Sequence, residues 1–138
     1  MEISINWFAV ALTTFVVTLI SAAWYGKIFA VSWEKSTGVT SKALADTYGK
    51  KHYFILLATN LLSAIGVALI VTIVSVYAKN TSVWLALATG FGLWLTLSAT
   101  TLLQHNAFEI KSRVLTTINV VYQLVIYLAI ALIVNLFQ

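Results

Sequence analysis

The chain contains no cysteine and no proline, and only 9% of its 138 residues are charged. Without cysteine there is no disulfide, no thiolate nucleophile and no sulfur-ligated metal. Without proline, nothing in the sequence demands a broken or sharply kinked helix. The scarcity of charge is the most informative of the three, because in soluble domains roughly a quarter of residues are Asp, Glu, Lys or Arg. Hydrophobic residues make up 61% of the chain. A water-soluble core of this size could not hide that much apolar surface, whereas a bilayer accepts it without folding it inward.

What is present is four long apolar runs, near residues 5–26, 53–78, 83–103 and 114–137. Each has the roughly 20 mostly apolar residues that a helix needs to cross about 30 Å of hydrocarbon. A length of 138 residues allows a single transmembrane domain, 1–138. Seven of the eight Lys and Arg residues fall in the first and third connections between the runs. Lys27, Lys35, Lys42, Lys50 and Lys51 against Glu34 and Asp46 leave the first connection at +3, and Lys111 and Arg113 against Glu109 leave the third at +1. On the other side Glu2 and Lys79 cancel. Basic loops stay cytoplasmic, so the charge predicts that both termini and the 78–82 turn lie outside. The excess of positive charge is thus a topology signal, and nucleic acid is not an expected partner. The first run lacks a basic leader and a small-residue cleavage site, so it is expected to be retained as a helix.

The expected fold is all-α, an antiparallel four-helix membrane bundle. Trp7, Phe8, Tyr77 and Trp84 suit the outer interface, and Trp24, Tyr25, Trp33, Tyr53 and Phe54 the inner one. The short turn Ala78-Lys79-Asn80-Thr81-Ser82 makes the second and third runs antiparallel neighbours. In the first connection, Thr40 can cap a short interfacial helix that runs to about Tyr48 and stops at Gly49. Trp-x-Ala-x-Ala opens both the first and third runs, Ser21-Ala22 matches Ser98-Ala99, and Asn60 and Asn119 sit alike in the second and fourth. These matches point to a weak parallel repeat of 1–78 and 82–138.

Small residues recur every fourth position at Thr14, Thr18, Ala22 and Gly26, at Asn60, Ala64, Ala68 and Thr72, and at Ala88, Gly92, Thr96 and Thr100. In lipid these stripes are packing faces, because close backbone approach drives helix association. They also favour a homo-oligomer.

No Asp, Glu, Lys, Arg or His lies at mid-bilayer depth. Proton-coupled exchangers and pumps usually place a carboxylate or charged relay there. The intramembrane polar groups are neutral: Asn60 and Ser63 on the second run, Asn119 and Gln123 with Tyr122 and Tyr127 on the fourth. The expected pairing is an amide hydrogen bond between those two helices. The densest polar cluster is Gln104 to Arg113. If helical, it sets His105 beside Glu109 and Glu109 beside Arg113, each at i,i+4. That trio could serve as an acid/base group, or with His52 as metal ligands, but an ion-pair cluster at the helix end is the expected role. Neither a cofactor nor a metal is expected.

Asn6-Trp7, Trp24-Tyr25-Gly26-Lys27-Ile28-Phe29 with Trp33, Asn106-Ala107-Phe108-Glu109, and Asn119 with Tyr122-Gln123 together make the chain resemble one family. It is the small prokaryotic membrane protein family catalogued as domain of unknown function 1761. Lys27 stands where that family often has proline. The resemblance implies four membrane helices and no defined activity, and it directs attention to Trp24, Tyr25, Gly26, Phe29, Phe108 and Glu109 as a cytoplasmic-face cluster. Gly26 would let another backbone approach.

The expected function is non-enzymatic binding of a partner protein, lipid or small hydrophobic ligand in a prokaryotic cytoplasmic membrane. The candidate residues are Trp24, Tyr25, Gly26, Phe29, His105, Phe108, Glu109, Asn60, Asn119 and Gln123. The alternatives are a homo-oligomeric pathway for an uncharged solute or ion, lined by the amides and threonines, and a lipid-modifying enzyme using His105 and Glu109.

Overall fold

A computed structural model of the chain describes residues 3–138. Glu2, set against Lys79 in the charge count, lies outside them. The described residues form six helices and no strand: α1 (Trp7–Ile28), α2 (Ala30–Thr37), α3 (Ser41–Tyr48), α4 (Lys51–Ala78), α5 (Val83–Phe108) and α6 (Arg113–Leu136). Helices α1, α4, α5 and α6 are each long and apolar enough to cross a membrane. They match the four runs, with α5 extended five residues past the expected end, through the polar segment to Phe108.

Polar side chains mark where the helices begin. Asn6 Oδ1 accepts from Ala9 N at 3.1 Å, Thr40 Oγ1 from Ala43 N at 3.1 Å, and Ser112 Oγ from Leu115 N at 3.1 Å. Each satisfies a backbone donor that the first turn leaves without a partner. The Thr40-capped helix and its stop at Gly49 are as the sequence predicts. A second short helix, α2, precedes it and packs against α6. It ends at Gly38, whose φ of 70° is the left-handed cap conformation that glycine adopts without penalty. Glu34 ties the α2–α3 corner, its Oε1 accepting from both N and Oγ of Ser41 at 2.9 Å.

Helices α4 and α6 form the centre, each touching the other three long helices, while α1 and α5 pack on either side of that pair. Tyr122, Ile126, Ile130 and Val134 repeat every fourth residue along α6 and are buried against Val10 and Val17 of α1, Val67 and Val71 of α4, and Ala86 of α5. Along α1 and α6, Asn6 Nδ2 donates to Phe137 O at 3.1 Å, Ser21 meets Tyr122, and Tyr25 meets Asn119.

Proline's absence does not make the helices uniform. The last turn of α1, Trp24–Ile28, is π-helical, with Phe29 N donating five residues back to Trp24 O at 2.9 Å. A second π segment occupies Trp94–Ala99 of α5. Such insertions re-aim side chains without proline. The second follows a tight contact. A Cβ on Gly90 would lie 2.8 Å from Ala131 Cβ and 3.0 Å from Tyr127 O, so α5 crosses α6 with almost no space between backbones. One turn on, Trp94 Nε1 donates to Val120 O at 3.0 Å.

Two sequence expectations are corrected. The α5 stripe is not a packing face within the chain: Ala88, Thr96 and Thr100 are exposed, and Ala86, Gly90 and Ala99 are buried instead. In α1 the buried face runs through Thr13, Thr14, Val17 and Ser21, while Ala22 and Gly26 point outward. Among the described residues nothing from outside its own turn lies within 4 Å of a Cβ built on Gly26, so no other helix of this chain approaches there. The Gln104–Arg113 segment does not meet the condition for its i,i+4 neighbours, since it is not one helix. It stops at Phe108, and Ile110 turns the chain with a φ of 54°. Glu109 and Arg113 therefore do not share a helical face, and Glu109 Oε2 pairs with Lys111 Nζ at 3.4 Å.

Candidate functional site

Thr14, Thr18, Ser21 and Tyr25 of α1 are spaced by four, three and four residues and so share one face. Thr14 and Thr18 turn their hydroxyls back on their own helix, to Val10 O and Thr14 O, both at 2.8 Å. Buried Asn60 of α4 donates through Nδ2 to Thr18 Oγ1 and Ser21 Oγ, both at 3.2 Å. Ser21 donates its single proton to Val17 O at 2.7 Å. It must therefore accept from Tyr122 OH, 2.6 Å away, which makes Tyr122 the donor. One turn nearer the end of α1, Tyr25 OH donates to Asn119 Oδ1 at 2.9 Å. The expected amide pairing between the second and fourth helices is thus replaced by one in which both amides bond to α1. The reason is geometric, since the α1 face presents hydroxyls at the depth of each amide.

Aromatic rings close around this network. Tyr25 and Tyr122 meet edge to face with centroids 4.9 Å apart, and Trp24 lies 6.1 Å from Tyr122 and 4.6 Å from Phe29. Trp24 Nε1 is buried with no hydrogen-bond partner among the described residues. A donor left so costs about 1–3 kcal/mol. The network holds hydroxyls, amides and rings, with no carboxylate, imidazole or amine among the described residues that form it.

Beyond Phe29 the surface opens. Phe29 and Ser32 face Arg113, Val114, Thr117 and Ile118 across a cleft of about 350 Å³. Adjoining it, Leu103, Asn106, Ala107, Lys111, Arg113, Thr116 and Thr117 line another of about 470 Å³. Arg113 and Thr117 belong to both. Among the described residues Arg113 has no carboxylate partner, since Glu109 is taken by Lys111. Glu34 is committed as well. The Ser41 backbone N–H, then its hydroxyl, hold that carboxyl below its ordinary range.

The structure thus joins Trp24, Tyr25, Phe29, Asn60 and Asn119 in one region. Gly26 lies beside it on the outer face, and Gln123 has no side-chain hydrogen bond among the described residues. His105 and Phe108 in the last turn of α5, and Glu109 just beyond it, stay apart, all exposed, with no hydrogen bond or aromatic contact to the network among the described residues. Among the described residues no group of three His, Asp or Glu side chains converges as a metal set, so His52 does not join His105 and Glu109. The hydroxyl of Ser21 and the cleft residues Ser32, Arg113 and Thr117 were not among the sequence candidates. Ser21 was legible in the four-three-four spacing of α1. Arg113 and Thr117, one turn apart, gave a weaker signal.

The family described as "Protein of unknown function (DUF1761)" matches residues 8–135, and the chain belongs to it. No curated protein and no solved structure matches the chain.

Proposed function

We propose that this chain is a multi-pass protein of a prokaryotic cytoplasmic membrane that binds a lipid or small hydrophobic ligand without transforming it. Its four long helices form an antiparallel bundle with both termini outside. The α1–α6 contacts, which run from Asn6–Phe137 to Tyr25–Asn119, support that arrangement. The basic first and third connections support the orientation.

One observation carries the binding reading: the open cleft between Phe29 and Ser32 on one side and Arg113 to Ile118 on the other. It has apolar walls, and it is backed through Phe29 by the aromatic and polar cluster around Trp24. Ligand sites combine such walls with a few polar groups held on rigid elements. Here the Ser21–Asn60–Tyr122 bonds fix three helices immediately beneath it. Purification from native membranes followed by mass analysis of retained small molecules tests the reading. Thr117→Trp, which fills the cleft, should release them; retention unchanged by that substitution sinks it.

A homo-oligomer is the companion reading, favoured by the outward stripe of α5. Ala88, Thr96 and Thr100 are exposed small residues, and the two threonine hydroxyls are spent on the carbonyls of Gly92 and Thr96 at 2.7 Å. Such a face is smooth enough for a second helix to lie close against it. The native mass in a mild detergent tests it, and a monomer at all concentrations rules it out.

A further inference from the structure

We infer that the cleft holds the headgroup of an anionic phospholipid, with Arg113 as the residue that selects the charge. This rests on the binding reading above and adds the chemistry of the ligand.

The argument begins with a balance of partners. Of the acidic side chains in the two basic connections, Glu109 is engaged by Lys111 at 3.4 Å and Glu34 by Ser41 at 2.9 Å, while Asp46 on α3 makes no ion pair with Arg113 among the described residues. Arg113 lines the cleft with no carboxylate partner among the described residues. A guanidinium presents a planar fork of donors that fits two phosphate oxygens at once. Across the cleft, Ser32 has no side-chain hydrogen bond among the described residues, so its hydroxyl is free to donate to a third oxygen. Thr117 is not, because its proton goes to Arg113 O at 2.9 Å. Below these polar groups the walls are Phe29, Val114 and Ile118, all suited to an acyl chain. Charge at one end and hydrocarbon along the rest is the pattern of a membrane lipid, and basic pockets between helices on the cytoplasmic side bind anionic headgroups. A soluble anion would have no use for the apolar walls. A zwitterionic lipid offers the same phosphate but brings a cationic choline with it, which an arginine without a carboxylate partner repels, so the net-anionic headgroup is favoured.

The experiment is native mass spectrometry of the full chain from nanodiscs of dioleoyl phosphatidylglycerol mixed equally with dioleoyl phosphatidylcholine. The acyl chains are identical, so only the headgroup differs. We expect the chain to retain phosphatidylglycerol over phosphatidylcholine by roughly fivefold, the ratio that about 1 kcal/mol of attraction between one basic side chain and a net-anionic headgroup supplies. Arg113→Gln should bring the preference within about twofold, and Arg113→Lys should keep part of it, since it preserves charge and loses the fork. The site is exposed, so both variants should melt as the parent does. Undiminished preference in Arg113→Gln overturns the assignment. Equal retention of both lipids, abolished by Thr117→Trp, overturns the anionic selectivity and leaves the cleft as a binding site. Retention that Thr117→Trp does not change removes the cleft reading itself. Inorganic phosphate alone, tested at millimolar concentration, should not raise the melting temperature. If it protects as well as phosphatidylglycerol does, the ligand is a free anion and the lipid assignment is wrong.

Discussion

Helices α4 and α5 carry small residues at the same four-residue spacing, yet the two stripes have opposite fates. Asn60, Ala64, Ala68 and Thr72 of α4 are all buried in the centre of the bundle. Ala88, Thr96 and Thr100 of α5 are exposed, and α5 uses Ala86, Gly90 and Ala99 to meet its neighbours. Spacing thus shows that a face can admit a close neighbour. It does not say whether the neighbour is in the same chain. What separates the two is what each stripe contains besides small size. The α4 stripe includes an amide whose donors reach Thr18 and Ser21, and a buried amide in hydrocarbon must find partners. The α5 stripe has only hydroxyls satisfied within its own helix, so nothing compels it inward.

The largest effect should come from the one glycine on α5 that does face inward. Gly90→Ala places a Cβ 2.8 Å from Ala131 Cβ and 3.0 Å from Tyr127 O, both attached to rigid backbone. Overpacking of this kind costs about 1–3 kcal/mol. Gly92→Ala, two residues on, meets nothing within 4 Å and should be neutral or stabilising by up to about 1 kcal/mol, since alanine favours the helix. Thermal unfolding in detergent should separate the two variants clearly. Restoration of much of the Gly90→Ala loss by Ala131→Gly would place the strain at that contact. Equal melting of both glycine variants would contradict the crossing described here.

The next effect lies on the α4 stripe. Asn60→Leu removes both donations to α1 while keeping bulk, and should cost about 1–2 kcal/mol, near the upper range for bonds between membrane helices. The sharper measurement is a double-mutant cycle of Ser21→Ala with Tyr122→Phe. Their hydroxyls are 2.6 Å apart, so the two losses should fall short of additive by about 0.5–1 kcal/mol. Full additivity would mean that the Ser21–Tyr122 bond contributes nothing to the α1–α6 contact.

The outward stripe should respond in the opposite sense. Thr96→Leu changes an exposed residue, so stability of the single chain should move by less than about 0.5 kcal/mol. The native mass should fall if a second copy uses this face, because leucine keeps the helices apart. A stability loss as large as that of Asn60→Leu would show that the face is already covered within one chain.

The sequence made some of this legible and left other parts out of reach, for physical reasons. Length and hydropathy located α1, α4, α5 and α6 because crossing a bilayer imposes both on the chain itself. The Thr40 cap and the Gly49 stop were legible because capping is local. The partner of Asn60 was not, since helix four and helix one offer polar groups at similar depth and only packing decides between them. Gly26 was expected to admit a backbone and stands in open space. The π turn at Trp24–Ile28, which sequence spacing does not register, is where a regular helical wheel stops applying. At the polar run Gln104 to Arg113, the i,i+4 spacing of the charges brings them together only if the whole run is helical. Instead Ile110 turns the chain in the left-handed region, an unfavourable conformation for a β-branched residue that no propensity would assign.

The smallest effect concerns the α2–α3 corner, which borders the cleft through Ser32. Glu34 accepts two hydrogen bonds from Ser41 at 2.9 Å, and the backbone N–H, then the hydroxyl, lower its carboxyl below the ordinary value. A group whose folded value is depressed stabilises the folded corner above its unfolded value and loses that contribution as pH falls through the folded one. The corner should therefore hold through the neutral range and loosen only in acid. Glu34→Gln should remove the acid dependence, since a neutral amide still accepts from Ser41 without titrating. The Ser41 amide resonance followed from neutral pH into acid is the direct readout, because that proton reports the bond whether or not the bundle melts. A titration of Ser41 that is unchanged in Glu34→Gln would assign the dependence to another group. A transition in the parent at neutral pH would mean that Glu34 does not hold the corner as its carboxylate.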